Sequence, residues 1–227
     1  MFGQFKKRSN EIERLDRGEF TAEESQKWHE EMWYIHRFFG EIRALKRSVI
    51  KEINGAKSRP LSVLDVAAGS GALLQYITKR TTGDMIFAVG VEGSEAAVRS
   101  IGSRGINAVR CDALALPFAP GSFDLVFCTL FLHHLDEIQA AKAIAQMASI
   151  ARRKLFVIDL DRRPVPYFAY RVFGNFLLQP FTRDDGSLSI LRAHTPHELE
   201  GIASRAGLGN FQIERSAINR LILSAEV

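Results

Sequence analysis

Val63-Leu-Asp-Val-Ala-Ala-Gly-Ser-Gly-Ala-Leu-Leu-Gln75 decides how this chain folds. An apolar run carries an acid, Asp65, near its end. Small residues follow at Ala67, Ala68, Gly69, Ser70 and Gly71, and then helix-forming residues begin. A buried strand, a turn stripped of side chains and a helix start make a place where a ligand can touch the backbone. The unpaired N–H groups of the helix point at that ligand.

The same alternation extends on both sides. LSVLDVA reads as a strand and GALLQYITKR as a helix. MIFAVGVEG and SEAAVRSIGSRG repeat the pair, and INAVRCDA is a short third strand. FDLVFCTLFL is a fourth, followed by a helix through DEIQAAKAIAQMASIA, and KLFVIDLD is a fifth. Continuous runs of Val, Ile, Leu and Phe imply strands buried on both faces of a mostly parallel sheet. At the end, Thr195, Pro196 and Glu198 spell an N-cap, a first helical position and a capping box for a helix ending near Gly207. FQIERS and INRLILSA then follow with only a short link, so they must pair as an antiparallel hairpin. The expected fold is a doubly wound α/β sheet of seven strands, mostly parallel, with an antiparallel last strand.

Two segments lie outside that core. Residues 1–55 read as an N-terminal helical cap, with apolar residues at Trp28, Met32, Ile35, Phe38 and Phe39 on one helical face. Residues 162–193 read as an inserted helical lid in a main domain spanning 56–227. Within the lid, Pro166 to Phe181 crowds six aromatics into sixteen residues. That run reads as a buried helix, a lipophilic pocket wall or a surface that meets a membrane.

The 227 residues are 46% hydrophobic, enough for a real core, and carry a formal net charge of +4. Basic clusters such as Lys6-Lys7-Arg8 and Arg152-Arg153-Lys154 are short, so nucleic acid is an unlikely partner. Cys111 and Cys128 rule out a disulfide framework or a CxxC metal site, and a reducing, cytoplasmic setting is the expectation. The basic N-terminus is followed by no apolar run, so it does not read as a secretory signal. Apolar stretches fall short of the roughly 18 residues that a membrane span needs.

Three ligands compete for the turn. A P-loop needs a lysine after Gly71, where Ala72 stands. A dinucleotide turn prefers a third glycine, where Leu74 stands, and a pyrophosphate gains nothing from Asp65. An acid there suits a cationic ligand, and S-adenosylmethionine carries an ammonium and a sulfonium. Asp65-Val-Ala-Ala-Gly-Ser-Gly71 resembles the glycine-rich first motif of class I S-adenosylmethionine-dependent methyltransferases, with Ala67 in place of the family's first glycine. Three landmarks agree in order: Glu92 and Gly93 after the second strand, Asp112 and Ala113 after the third, and Phe123 to Thr129 as the fourth-strand motif. The resemblance implies a cofactor site of Asp65, Ala67, Gly69, Ser70, Gly71, Glu92, Gly93, Asp112, Ala113 and Thr129. Glu92 would hold the ribose hydroxyls and Asp112 the adenine amino group, with no metal. The plainer readings are helix caps for Asp65 and Glu92, a loop acid for Asp112 and a structural role for Asp124.

The acceptor should meet the methyl beyond the fourth strand, at Thr129-Leu-Phe-Leu-His-His-Leu135. Adjacent His133 and His134 must point differently. In related small-molecule methyltransferases the first of these two positions often carries an acid facing the substrate pocket. His133 is therefore the candidate base facing the cleft, His134 the scaffold residue, and His194 the second-choice base. No Asn/Asp-Pro-Pro-Tyr follows the fourth strand, which counts against methylation of base amino groups. The expected function is methyl transfer to a small aromatic or lipophilic acceptor, O-methylation ahead of C-methylation. An RNA methyltransferase, a non-catalytic S-adenosylmethionine-binding protein and an NAD enzyme are the alternatives.

Overall fold

β1 (Leu61–Val66) alternates its side chains between two cores. Leu64 and Val66 join one buried cluster and Leu61 and Val63 the other, as the two-residue period of a strand requires. This computed structural model describes residues 3–57, 60–81, 86–216 and 218–227. The other strands are β2 (Ile86–Glu92), β3 (Asn107–Arg110), β4 (Phe123–Thr129), β5 (Ala151–Leu160), β6 (Phe211–Ser216) and β7 (Arg220–Glu226). They form one sheet in the order β3-β2-β1-β4-β5-β7-β6. β1 to β5 are parallel, and β7 runs antiparallel to both β5 and β6. Met85, read as opening the second strand, lies outside the described residues.

Helices cover both faces. α7 (Glu137–Ile150) and α10 (Pro196–Arg205) bury Ile144, Met147, Leu199 and Ile202 on one face. On the other, α4 (Val49–Gly55), α5 (Ala72–Arg80) and α6 (Glu95–Ser103) bury Ile50, Ile53, Leu73, Ile77 and Ile101. α3 (Glu41–Arg47) shares that second core through Ile42 and Leu45, and its Glu41 accepts from the buried Arg220 of β7 at 2.6 Å. Residues 41–55 thus pack with the sheet.

A third cluster sits over the carboxyl end of β5. It joins Phe5, Ile35 of α2 (Ala22–Phe38), Leu160, Tyr167 and Tyr170 of α8 (Pro164–Leu177), and Ile190 of α9 (Pro180–Arg192). The inserted segment is therefore two helices, each opened by proline at its first turn. Among the described residues no helix is long and apolar enough to cross a membrane.

Two local expectations change. β5 begins at Ala151, where the preceding helix was read as ending, three residues before Lys154. The extra residues begin opposite the start of β4 and turn their charges outward, Arg152 onto Asp124 and Arg153 onto Glu52. The apolar face of α2 is also interrupted. Ile35 is buried, but Phe38 is exposed beneath the Arg37 guanidinium, because the helix ends there and the chain turns at Gly40.

Candidate active site

The turn after β1 is held open from behind. Ala68 donates to Val91 O, and Gly69 donates to Glu92 Oε1 at 2.9 Å. The Ser70 carbonyl accepts from Arg104 and Ser100 of the α6 region. Gly69 and Gly71 have φ of +56° and +76°, where a side chain is strained. A Cβ on Gly71 would meet Ile101 at 3.0 Å, so that glycine serves packing against α6. A Cβ on Gly69 would meet open space, so that glycine leaves room for a ligand. Ala67 also adopts a left-handed φ, +58°, keeping the turn shape that glycine favours at about 1–2 kcal/mol.

Beside the turn, a cavity of about 610 Å³ is lined by Ala67, Glu92, Gly93, Asp112 and Ala113, with Val91, Arg110, Cys111 and Phe131. Five expected cofactor residues thus share one cleft. Glu92 accepts from Gly69 N–H and from its neighbour Gly93 N–H, each at 2.9 Å. Its carboxylate stays turned into the cleft with lone pairs for two further donors. Asp112 accepts from Leu114 N–H at 2.8 Å, shaping its own loop. Arg110, Cys111 and Phe131 were not foreseen, since a cation, a thiol and a ring carry no motif of their own.

Asp65, Gly69, Ser70, Gly71 and Thr129 lie off that lining. Asp65 is 1% exposed, and neither carboxylate oxygen has a hydrogen-bond partner. Burial pushes its carboxyl well above the usual range, with Glu92 and Glu41 adding repulsion. A buried acid without a partner is expensive. An ammonium placed beside Asp65 and ribose hydroxyls beside Glu92 would meet what each lacks, so the residues fit S-adenosylmethionine. Asp124 has a different task. It accepts from Ser62 N–H and Oγ and from Arg152, tying β1 to β4.

Residues 63–154 match the family described as methyltransferase domain. That span contains the turn, Glu92, Asp112 and the fourth-strand motif. Over that span the chain is similar to S-adenosylmethionine-dependent methyltransferases. It is 31% identical over 110 residues to the ubiquinone/menaquinone biosynthesis C-methyltransferase UbiE of Paracoccus denitrificans, a match covering 46% of this chain and 44% of that one. The chain therefore matches less than half the length of that relative. The magnesium protoporphyrin IX methyltransferase ChlM of Synechocystis, with bound SAH, aligns with a TM-score of 0.64 at 17% identity, covering 93% and 97% of the two chains. The plantazolicin methyltransferase BpumL, in complex with a pentazolic desmethylPZN analog and SAH, aligns with a TM-score of 0.68 at 14% identity, covering 88% and 93%. These two likenesses concern the fold.

Beyond the cleft, a 3-10 turn at Leu132–His134 follows β4. The two histidines part, but in the opposite sense from expectation. His133 packs onto the sheet and is 3% exposed, while His134 turns outward. Asp159 of β5 causes this. It accepts from the His133 backbone N–H at 3.0 Å and contacts the ring Nδ1 at 2.7 Å. Asp159 is held well below the usual carboxylate range: burial opposes this, but His133 outweighs it. In the neutral ring, an ionised Asp159 selects the tautomer with Nδ1 protonated and the lone pair on Nε2.

That Nε2 lies 3.9 Å from Glu13 Oε1. Glu13, Asp16 and Arg8 come from the N-terminal segment, which no sequence signal connected to the site. Asp16 accepts from or pairs with His134 Nδ1 at 2.9 Å. Burial opposes protonation of His134, but Asp16 and Glu13 raise its pKa above the usual value. Arg192 donates to Asp16 at 3.1 Å and to His134 O at 3.0 Å, and Arg8 donates to His133 O and Arg192 O. Asp185 accepts from Arg14 and Leu15 N–H and so pins the start of α1 (Arg14–Arg17). Donor atoms of Glu13, His133 and His134 lie within 4.8 Å of one another, a spacing that suits a metal. The Arg192 guanidinium, 3.7 Å from Glu13, opposes a second cation there.

His194 is also buried, against the Leu132 backbone and between the charges of Arg8, Asp159 and Glu198. Burial, with Arg8 adding, pushes its pKa down to about 4, so the ring is neutral at ordinary pH.

Proposed function

We propose that this chain transfers a methyl group from S-adenosylmethionine to a small aromatic or lipophilic acceptor that carries a hydroxyl. The observation that carries the reading is the Asp159–His133 pair just beyond the cofactor cleft, with Phe131, two residues before His133, lining that cleft. When bound, the cofactor supplies an electrophilic methyl on its sulfonium.

The protein's part is to hold and to deprotonate. Asp65 and Glu92 fix the cofactor's ammonium and ribose ends. Asp159 fixes the tautomer of His133, so that Nε2 takes the acceptor's hydroxyl proton. Holding the deprotonated oxygen against the methyl that the cofactor would offer would supply much of the rate. Nε2 is covered by Glu13, so residues 8–16 must shift to admit the acceptor, while the burial of His133 keeps water from the exchange.

C-methylation is the second reading, favoured by the printed name of the Paracoccus denitrificans relative. The same base would serve, since a deprotonated phenol is nucleophilic at its ring carbon as well as at oxygen. The test is a panel of phenols, quinols and polyketide-like aromatics incubated with methyl-labelled S-adenosylmethionine. Product that loses its label on ether cleavage supports oxygen as the acceptor atom. Label retained on the ring supports carbon. No methylated product from any hydroxylated aromatic, with transfer to RNA instead, would overturn the reading.

A further inference from the structure

α8 is apolar on both of its sides. Tyr167, Tyr170 and Gly174 face inward, where Tyr170 donates to Thr182 O and Gly174 packs on Arg183. The outward side carries Val165, Phe168, Val172, Phe173, Phe176 and Leu177, each between 39% and 84% exposed. Steps of three and four along a helix place these six on one stripe. On the inward side α2 packs against α8, with Phe39 edge-on to Tyr170 at 5.2 Å. Single exposed apolar residues are ordinary, but six on one helix face mark a binding surface.

Charge and size decide what covers it. α8 contains no acid, and apart from its two tyrosines its polar side chains are Arg171 and Asn175. The nearby Arg163 and Arg183 are already paired, with Asp161 at 2.6 Å and Asp184 at 2.9 Å, which leaves Arg171 as the cation on this helix. An apolar stripe on a helix whose one charged side chain is a cation complements a bilayer whose surface is anionic. A second copy of the chain is a poorer fit. Fourteen residues of helix span about 21 Å, too little for the roughly 800 Å² per partner of a stable protein interface.

We infer that the outer face of α8 lies in the interface of an anionic lipid bilayer, with its phenylalanines among the acyl chains and Arg171 at the headgroups. This places the inserted helices at the membrane and leaves the cofactor cleft in water. The inference does not depend on the identity of the acceptor.

Vesicle sedimentation of the full chain tests it without any acceptor. Vesicles of phosphatidylcholine with phosphatidylglycerol should bind the protein, and pure phosphatidylcholine should bind it less. The double change Phe176→Ser, Leu177→Ser should weaken partitioning roughly tenfold or more, since both side chains would lose their apolar surroundings. Arg171→Gln should reduce the preference for anionic vesicles by roughly fivefold. Ile138→Ser, which alters an exposed apolar residue on α7, is the control and should change nothing. These residues are exposed, so circular dichroism should report intact folding in every variant. Absence of binding to anionic vesicles overturns the inference. So does a concentration-dependent dimer, seen by sedimentation velocity, that Phe176→Ser with Leu177→Ser abolishes, because the face would then belong to a second copy.

Discussion

Asp159 grips His133 at two points, the ring Nδ1 at 2.7 Å and the backbone N–H at 3.0 Å, and so sets which nitrogen can take a proton. The same carboxylate accepts from Leu160 N–H at 2.7 Å, which fixes its own position.

If His133 is the base, His133→Ala should lower kcat by about 10²–10⁴-fold, the usual worth of a positioned base. Asp159→Asn should lower kcat while leaving the acceptor KM nearly unchanged, because it frees the tautomer without emptying the site. His134→Ala should keep turnover and lower stability, as its ring ties Asp16 of the N-terminal segment. Steady-state kinetics on the best acceptor from the panel checks all three. Full activity in His133→Ala with loss in His194→Ala would move the base to His194.

The cofactor half of the site was legible because its determinants are local. Asp65, Gly69 and Gly71 sit within one strand–turn–helix unit, and Glu92 ends the strand beside it. The orientation of His133 was not legible. Its partner Asp159 is 26 positions away and its cover comes from the other end of the chain, so only the tertiary fold brings them together. Residues 166–181 gave their aromatic content but not its division into an inner and an outer face. The early start of β5 was hidden because Arg152 and Arg153 read as a helix end, while Asp124 and Glu52, which receive the charges of this stretch, lie far from it in sequence.

Cofactor binding should be linked to proton release at Asp65. Burial raises its folded pKa, so without cofactor the stability this group contributes is present below its unfolded value and is lost as pH rises through the folded value. An ammonium beside it favours the charged form. Calorimetry in buffers of different ionisation enthalpy should report protons released on binding. Asp65→Asn should abolish the release, stabilise the cofactor-free protein and weaken cofactor binding by about 10- to 100-fold. Equal heats in all buffers would contradict the assignment.

His194 should make the protein acid-sensitive. Its folded pKa of about 4 lies below the unfolded value, so its contribution is present above about pH 6.5 and is lost as pH falls toward 4. Denaturant unfolding across that range should show stability falling by up to about 1.4 kcal/mol per pH unit from this group. His194→Leu should flatten that slope, and an unchanged slope would show that other groups carry it.

Residues 8–16 and the α8–α9 pair should exchange amide hydrogens faster than β1, β4 and β5, and slow when cofactor and acceptor bind together. Their holdings are few and specific: Asp185 on Arg14 and Leu15, Ser9 N–H on Leu191 O, and Arg162 on Phe5 O. Equal protection with and without ligands, measured by mass spectrometry, would make them fixed parts of the fold.

The central claim is that the cleft between the β1 turn and Glu92 binds S-adenosylmethionine. Titration calorimetry with S-adenosylhomocysteine, which keeps the ammonium and both ribose hydroxyls, tests it most directly. The expected result is saturable binding in the micromolar range by the unaltered protein, no heat with NADH, and a loss of about 1.5–3 kcal/mol in Glu92→Ala, the worth of a charged hydrogen bond. Saturation by NADH with none by S-adenosylhomocysteine, or full affinity in Glu92→Ala, would contradict the account.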